Sequence, residues 1–173
     1  MVGLTLAQPS RWRRARHLIL FSFLPGLAAA AGQAPLHLWW LALAGWLLAI
    51  LPMRRITRWT GAFVAGWVAG AGYVAGTHFW IVEPFFVDAP RHGWMAPFAL
   101  VGMVAGIALF WGVGYALAFR VADSPAGRVL ALIPALTLMD LARTHVFTGF
   151  PWATIGSLWV GQPVLQFTSI VGP

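Results

Sequence analysis

Apolar stretches long enough to cross a bilayer recur along this chain, and short arginine clusters separate them. That alternation constrains the fold most. A backbone in hydrocarbon must satisfy its own polar groups, which leaves helices or closed barrels. The stretches read as one apolar helix after another, so the expected fold class is all-α, a polytopic transmembrane helix bundle. Hydrophobic residues make up 60% of the chain and charged residues 9%, which excludes an ordinary soluble domain. The formal charge of +7 is carried by arginines in short clusters rather than in a basic stripe with interleaved aromatics. It reads as a topology signal, and nucleic acid is not an expected partner.

Five spans and the start of a sixth are expected. "RWRRAR" (Arg11 to Arg16) precedes "HLILFSFLPGLAAAAG", which has the layout of a secretory signal peptide but is interrupted by Pro25 and followed at once by another apolar segment. A short or tilted first span is therefore expected rather than a cleaved leader. The second span runs from about Leu38 to Met53, the third from Thr60 to Val82, the fourth from Trp94 to Phe119 and the fifth from Val129 to Ala142. The stretch from Ile155 turns apolar again. With the N-terminus inside, Arg11, Arg13, Arg14, Arg16, Arg54, Arg55, Arg58, Arg120 and Arg128 face the cytoplasm, and only Arg91 and Arg143 face outward. Nine against two is a strong positive-inside bias.

Gly66 and Gly70, Gly72 and Gly76, and Gly102 and Gly106 each stand four apart, a spacing that lets helices approach closely in lipid. A tight contact between spans three and four is the expectation. The five histidines form no i, i+4 pair and have no carboxylate cluster, so no metal site is expected. Asp140 and Arg143 share a helical face, where they can pair. Solvation at the interface, or a lipid phosphate held by the arginine fork, remain as alternatives. "TGFPW", Thr148 to Trp152, breaks the helical pattern: Pro151 removes a donor, and Gly149 permits positive φ. Such backbone must lie at the interface or be buried against protein.

"RTHVFTGFPWATIG" resembles a segment of the apolipoprotein N-acyltransferase family, with Arg143, Thr148, Gly149, Phe150, Pro151 and Trp152 in register and Asp140 at an acidic position. "GLAAAAGQAPLHLWW", with Ala34, Pro35 and Trp39, resembles the family's junction between its first two spans, and "GTHFWIV" resembles its ending of the third. The resemblance implies a multi-pass protein of the bacterial inner membrane, N-terminus cytoplasmic. It would move an acyl chain from a phospholipid donor to the N-terminal cysteine of a diacylated apolipoprotein. Arg143, Thr148, Gly149, Phe150 and Trp152 would contact substrate, and no cofactor is implied. The family's chemistry lies in a nitrilase-like domain with a glutamate base, a lysine and a cysteine nucleophile. This sequence contains neither cysteine nor lysine. Residues 1–173 are accordingly expected to be the N-terminal membrane domain of such an enzyme, a fragment that does not turn over alone. The competing expectation is a non-enzymatic membrane scaffold or half-transporter, which would favour inverted halves and polar groups at mid-span.

Overall fold

The computed structural model describes residues 17, 19–146, 149–167 and 170. Arg11, Arg13, Arg14, Arg16 and Thr148 lie outside the described residues. The described residues form helices and turns, with no strand among them. A π-helical turn, Ile19–Phe23, leads into α1 (Leu24–Ala30). The chain continues as α2 (Trp39–Ile50), α3 (Trp59–Thr77), two short helices α4 (Glu83–Phe86) and α5 (Ala89–His92), then α6 (Ala96–Val121) and α7 (Pro125–His145).

Two helical runs are long and apolar enough to cross a membrane by length and composition: Ala89–Val121, with mean hydropathy 2.0, and Pro125–His145, with 1.4. Their exposed residues include Phe98, Val101, Leu130 and Ile133. α3 has the length, 19 residues, but its glycines and aromatics dilute its hydropathy. α1 and α2 are shorter than a full span. Pro25 stands inside the continuous helical run Leu20–Ala30, where it supplies no N–H to the turn before it, and that preceding turn is π-helical. The segment from Ile155 is two 3₁₀ turns, Ile155–Trp159 and Pro163–Phe167, rather than a sixth helix. Gly161 at φ +80° and Pro163 stop a helix from propagating there.

α3 is the centre of the bundle, packed on α6 on one side and α1 on the other, with α2 beyond α1 and α7 beyond α6. The glycines explain how it serves both neighbours. A Cβ at Gly66 or Gly70 would collide with Trp111 or Tyr115 of α6, whereas one at Gly72 or Gly76 would collide with the Phe23–Ala30 stretch. Of the three pairs, Gly66 and Gly70 make the expected tight contact between spans three and four, and Gly112 of α6 adds to it by admitting Phe63. Gly72 and Gly76 serve α1. Gly102 and Gly106 depart further from the expectation, since a Cβ on either meets nothing within 4 Å. They face an open groove, because α6 turns its other face to α3.

Hydrogen bonds from aromatic side chains to backbone cross the bundle. Tyr115 Oη donates to the Ala49 carbonyl at 3.1 Å, and Trp67 Nε1 donates to the Ala105 carbonyl at 3.0 Å. At one end of the bundle Arg128 holds the chain together. Its Nε donates to the Ala122 carbonyl at 3.0 Å, its Nη1 to the Ile56 carbonyl at 3.1 Å, and its guanidinium lies 3.9 Å over the Phe119 ring. Arg120 sits 5.0 Å over Trp59 at the same end. Ser124 caps α7, its Oγ accepting from Gly127 N at 2.9 Å.

Candidate functional site

At the opposite end, α7 finishes at His145 and the chain turns back over the bundle. Gly149 adopts φ +82°, the left-handed region, and a Cβ there would strike the Thr144 carbonyl. Its N–H donates to the Val146 carbonyl at 3.1 Å, and Phe150 N donates to the Arg143 carbonyl at 3.1 Å. From Pro151 to Thr154 the backbone is neither helix nor strand, so its polar groups need other partners.

Side chains supply them. Arg143 Nη1 donates to the Phe150 carbonyl at 3.2 Å and to the Trp152 carbonyl at 2.7 Å, while Nη2 pairs with Asp140 Oδ1 at 2.7 Å. Asp140 Oδ2 accepts from Ile155 N at 2.7 Å. Tyr73 Oη donates to the Ala153 carbonyl at 3.0 Å. Gln33 Nε2 donates to Tyr73 Oη at 2.9 Å and to the Thr154 carbonyl at 3.2 Å. The Ser157 hydroxyl stands between Gln33 Oε1, at 2.9 Å, and the Thr154 carbonyl, and can donate to either. Irregular backbone beside apolar helices survives only when protein satisfies it in this way.

Aromatic rings pack around the turn. Phe150 lies 5.3 Å from the ring of His78, and Trp152 lies 5.5 Å from Trp80. His78 is buried, with Nδ1 2.7 Å from Thr77 Oγ1 and no partner for Nε2 among the described residues. Below the turn, between α6 and α7, runs an open groove of about 690 Å³. Its lining includes Gly102, Gly106, Phe110, Met139, Arg143 and Phe150. The width comes from the two glycines, which contribute no side chain. Among the described residues no three of His, Asp and Glu come close enough to hold a metal ion.

Of the sequence-predicted site residues, Arg143, Gly149 and Phe150 meet at the mouth of this groove. Trp152 is 59% exposed and packs on Trp80, outside the groove's lining. Thr148 lies outside the described residues. The Arg143–Asp140 pair anticipated from i, i+3 spacing is formed, and the arginine is 6% exposed with its fork committed inside the protein. Gln33, Tyr73, His78 and Ser157 were not anticipated as part of the site. One signal pointed to Tyr73: a phenol hydroxyl within a span needs a partner wherever it is buried.

Among the described residues, fold and site define an all-helical protein with two helical runs of membrane-crossing length and a turn held by polar side chains above an open apolar groove. Residues 25–173 match the family model described as the apolipoprotein N-acyltransferase N-terminal domain. The chain belongs to that family. Proteins named apolipoprotein N-acyltransferase are similar along most of it. The one from Caulobacter vibrioides is 41% identical over 153 residues, 88% of this chain and 26% of the relative. The Rhodopseudomonas palustris protein is 32% identical, covering 93% of this chain and 30% of its own length. For Brucella suis the figures are 34%, 94% and 32%. The chain thus spans under a third of the length of these relatives.

Proposed function

We propose that residues 1–173 form the N-terminal membrane domain of an enzyme that transfers an acyl chain from a phospholipid donor to the N-terminal cysteine of a diacylated apolipoprotein. Family membership supports the activity. The observation that carries the role of this part is the groove between α6 and α7. It is apolar along its length, is open to the side, and ends at Arg143, Gly149 and Phe150. From Gly102 to Val113 it follows about 16 Å of helix rise. That length and the apolar lining suit a single extended alkyl chain. The flexible side chains of Met103 and Met139 are adapted to a ligand of that kind.

In this reading the donor's headgroup lies at the level of the turn, and Phe150 and Trp152 meet it. Arg143 acts by shaping the turn rather than by gripping a phosphate. About five spans, an N-terminus in the cytoplasm and a location in the bacterial inner membrane complete the proposal. Arg54, Arg55, Arg58, Arg120 and Arg128 at one end and Arg143 at the other support that orientation. No thiol and no lysine amine occur in these 173 residues, so the acyl-carrying nucleophile of the family is not among them.

The test uses the protein in phosphatidylethanolamine–phosphatidylglycerol vesicles containing a phosphatidylethanolamine with a diazirine on one acyl chain. Photolabelling is expected to concentrate at Met103 and Met139, above the level at Leu47 and Leu48, which are exposed on α2. Uniform labelling of all outward residues would remove the donor groove from the proposal.

A further inference from the structure

Between Phe150 and Ile155 four carbonyls and one amide are taken by side chains, and two separate groups of residues take them. Asp140 and Arg143, both on α7, hold Phe150, Trp152 and Ile155. Tyr73 on α3 and Gln33 in the connection after α1 hold Ala153 and Thr154. The second group is far away in sequence: 80 residues separate Tyr73 from Ala153, and 121 separate Gln33 from Thr154.

Ala153 is where the second group matters. It adopts φ +50°, a conformation unfavourable for a residue with a Cβ. A free turn of this sequence would relax out of it, so the conformation must be imposed. The hydrogen bond from Tyr73 is made to the carbonyl of that same residue. Tyr73 is itself fixed, with its ring 5.0 Å from Trp111 and 5.9 Å from Trp46, which stack on each other at 4.7 Å. Gln33 braces the hydroxyl from the other side and continues to Ser157. The aromatic centre of the bundle therefore meets the turn through the Tyr73 hydroxyl, and Ala153 and Ile155 pack against the same core. Phe150, three residues earlier on the same turn, lines the groove mouth.

We propose that Tyr73 and Gln33 are positioning residues of the lipid-donor site. By holding the Ala153 and Thr154 carbonyls they set where Phe150 stands at the mouth of the groove between α6 and α7. The inference rests on the donor reading above and adds to it two residues that touch no lipid. Releasing the hydroxyl lets Ala153 leave the left-handed region, and Phe150 then samples positions that narrow the mouth. Donor uptake weakens while the helices remain packed.

Tyr73→Phe removes only the hydroxyl and keeps the ring against Trp46 and Trp111. Gln33→Leu provides a second route from a different element. Each variant is titrated with the diazirine phosphatidylethanolamine in the same vesicles, and labelling at Met103 and Met139 is compared with labelling at Leu47. The expected result is a half-saturating probe concentration about threefold to tenfold higher, as one lost hydrogen bond implies. Maximal groove labelling, labelling at Leu47 and thermal stability should stay near those of the parent. The double variant should be at least as impaired as the more impaired single variant, and less than additive because the two side chains share one hydrogen bond. Parent-like titration in both variants would overturn the inference, as would a loss accounted for wholly by unfolded protein. Absence of preferential groove labelling in the unsubstituted protein would instead overturn the donor reading, and this inference with it.

Discussion

Arg143 does three things from one guanidinium: it pairs with Asp140 and accepts responsibility for two carbonyls of a turn that has no ladder of its own. The planar fork makes this possible, since donors on a fixed plane can reach acceptors that a lysine ammonium would have to choose among. Arg143→Lys should keep most of the attraction to Asp140 and lose at least one carbonyl, costing about 1–2 kcal/mol. Arg143→Ala leaves Asp140, 15% exposed, without its cation and should cost about 3 kcal/mol or more. Thermal unfolding of the two variants in detergent tests the order. Equal stability of the lysine variant and the parent would show that the fork does not hold the turn. The pairing itself was legible from the i, i+3 spacing. The two carbonyls were not, because nothing local indicates which way a chain turns after Gly149.

At the scale of elements, the glycines of α3 and α6 look alike in sequence and differ in what they do. Gly66 and Gly70 admit α6, Gly72 and Gly76 admit α1, and Gly102 and Gly106 admit no protein at all among the described residues. Spacing of four places two glycines on one face of a helix but does not say what faces them. The consequence is measurable. Gly72→Leu puts a side chain where the Phe23 backbone runs and should destabilise the fold by several kcal/mol, within the usual range for severe overpacking or more. Gly106→Leu meets open space, and its effect on the unfolding temperature should be small, while diazirine labelling of the groove should fall because the side chain occupies it. Size-exclusion profiles and unfolding temperatures of the two variants separate the classes. A collapse of the Gly106 variant would mean that a helix fills the groove.

For the whole molecule, the arginines divide between the two ends of the bundle. Arg128 ties the connections at one end by bonds to Ile56 and Ala122, whereas Arg143 ties the turn at the other. With the proposed orientation, reporter fusions at Asp88 and Asp123 should lie on opposite sides of the membrane, Asp123 in the cytoplasm. A cytoplasmic Asp88 would reverse or break the arrangement. The hydropathy of two helical runs agrees with a membrane protein, but α3 is central and moderately apolar, and α1 and α2 are short. Their apolar character was plain in the sequence. Their lengths depended on where π-helical and 3₁₀ turns interrupt them, and such interruptions are decided by packing.

The sequence by itself determined the helical class, the family, the break at "TGFPW" and the positive φ at Gly149. Each rests on local chemistry: runs of apolar residues, a proline without a donor, a glycine without a Cβ. Only the tertiary structure decided that Tyr73 and Gln33 bond the same turn as Arg143, that Trp152 packs on Trp80 outside the groove's lining, and that Ala153 takes a left-handed conformation. Local preference argues against that conformation at an alanine. Where it occurs, a phenol oxygen 80 residues away bonds its carbonyl and the residue packs against the core, partners that no local pattern reveals.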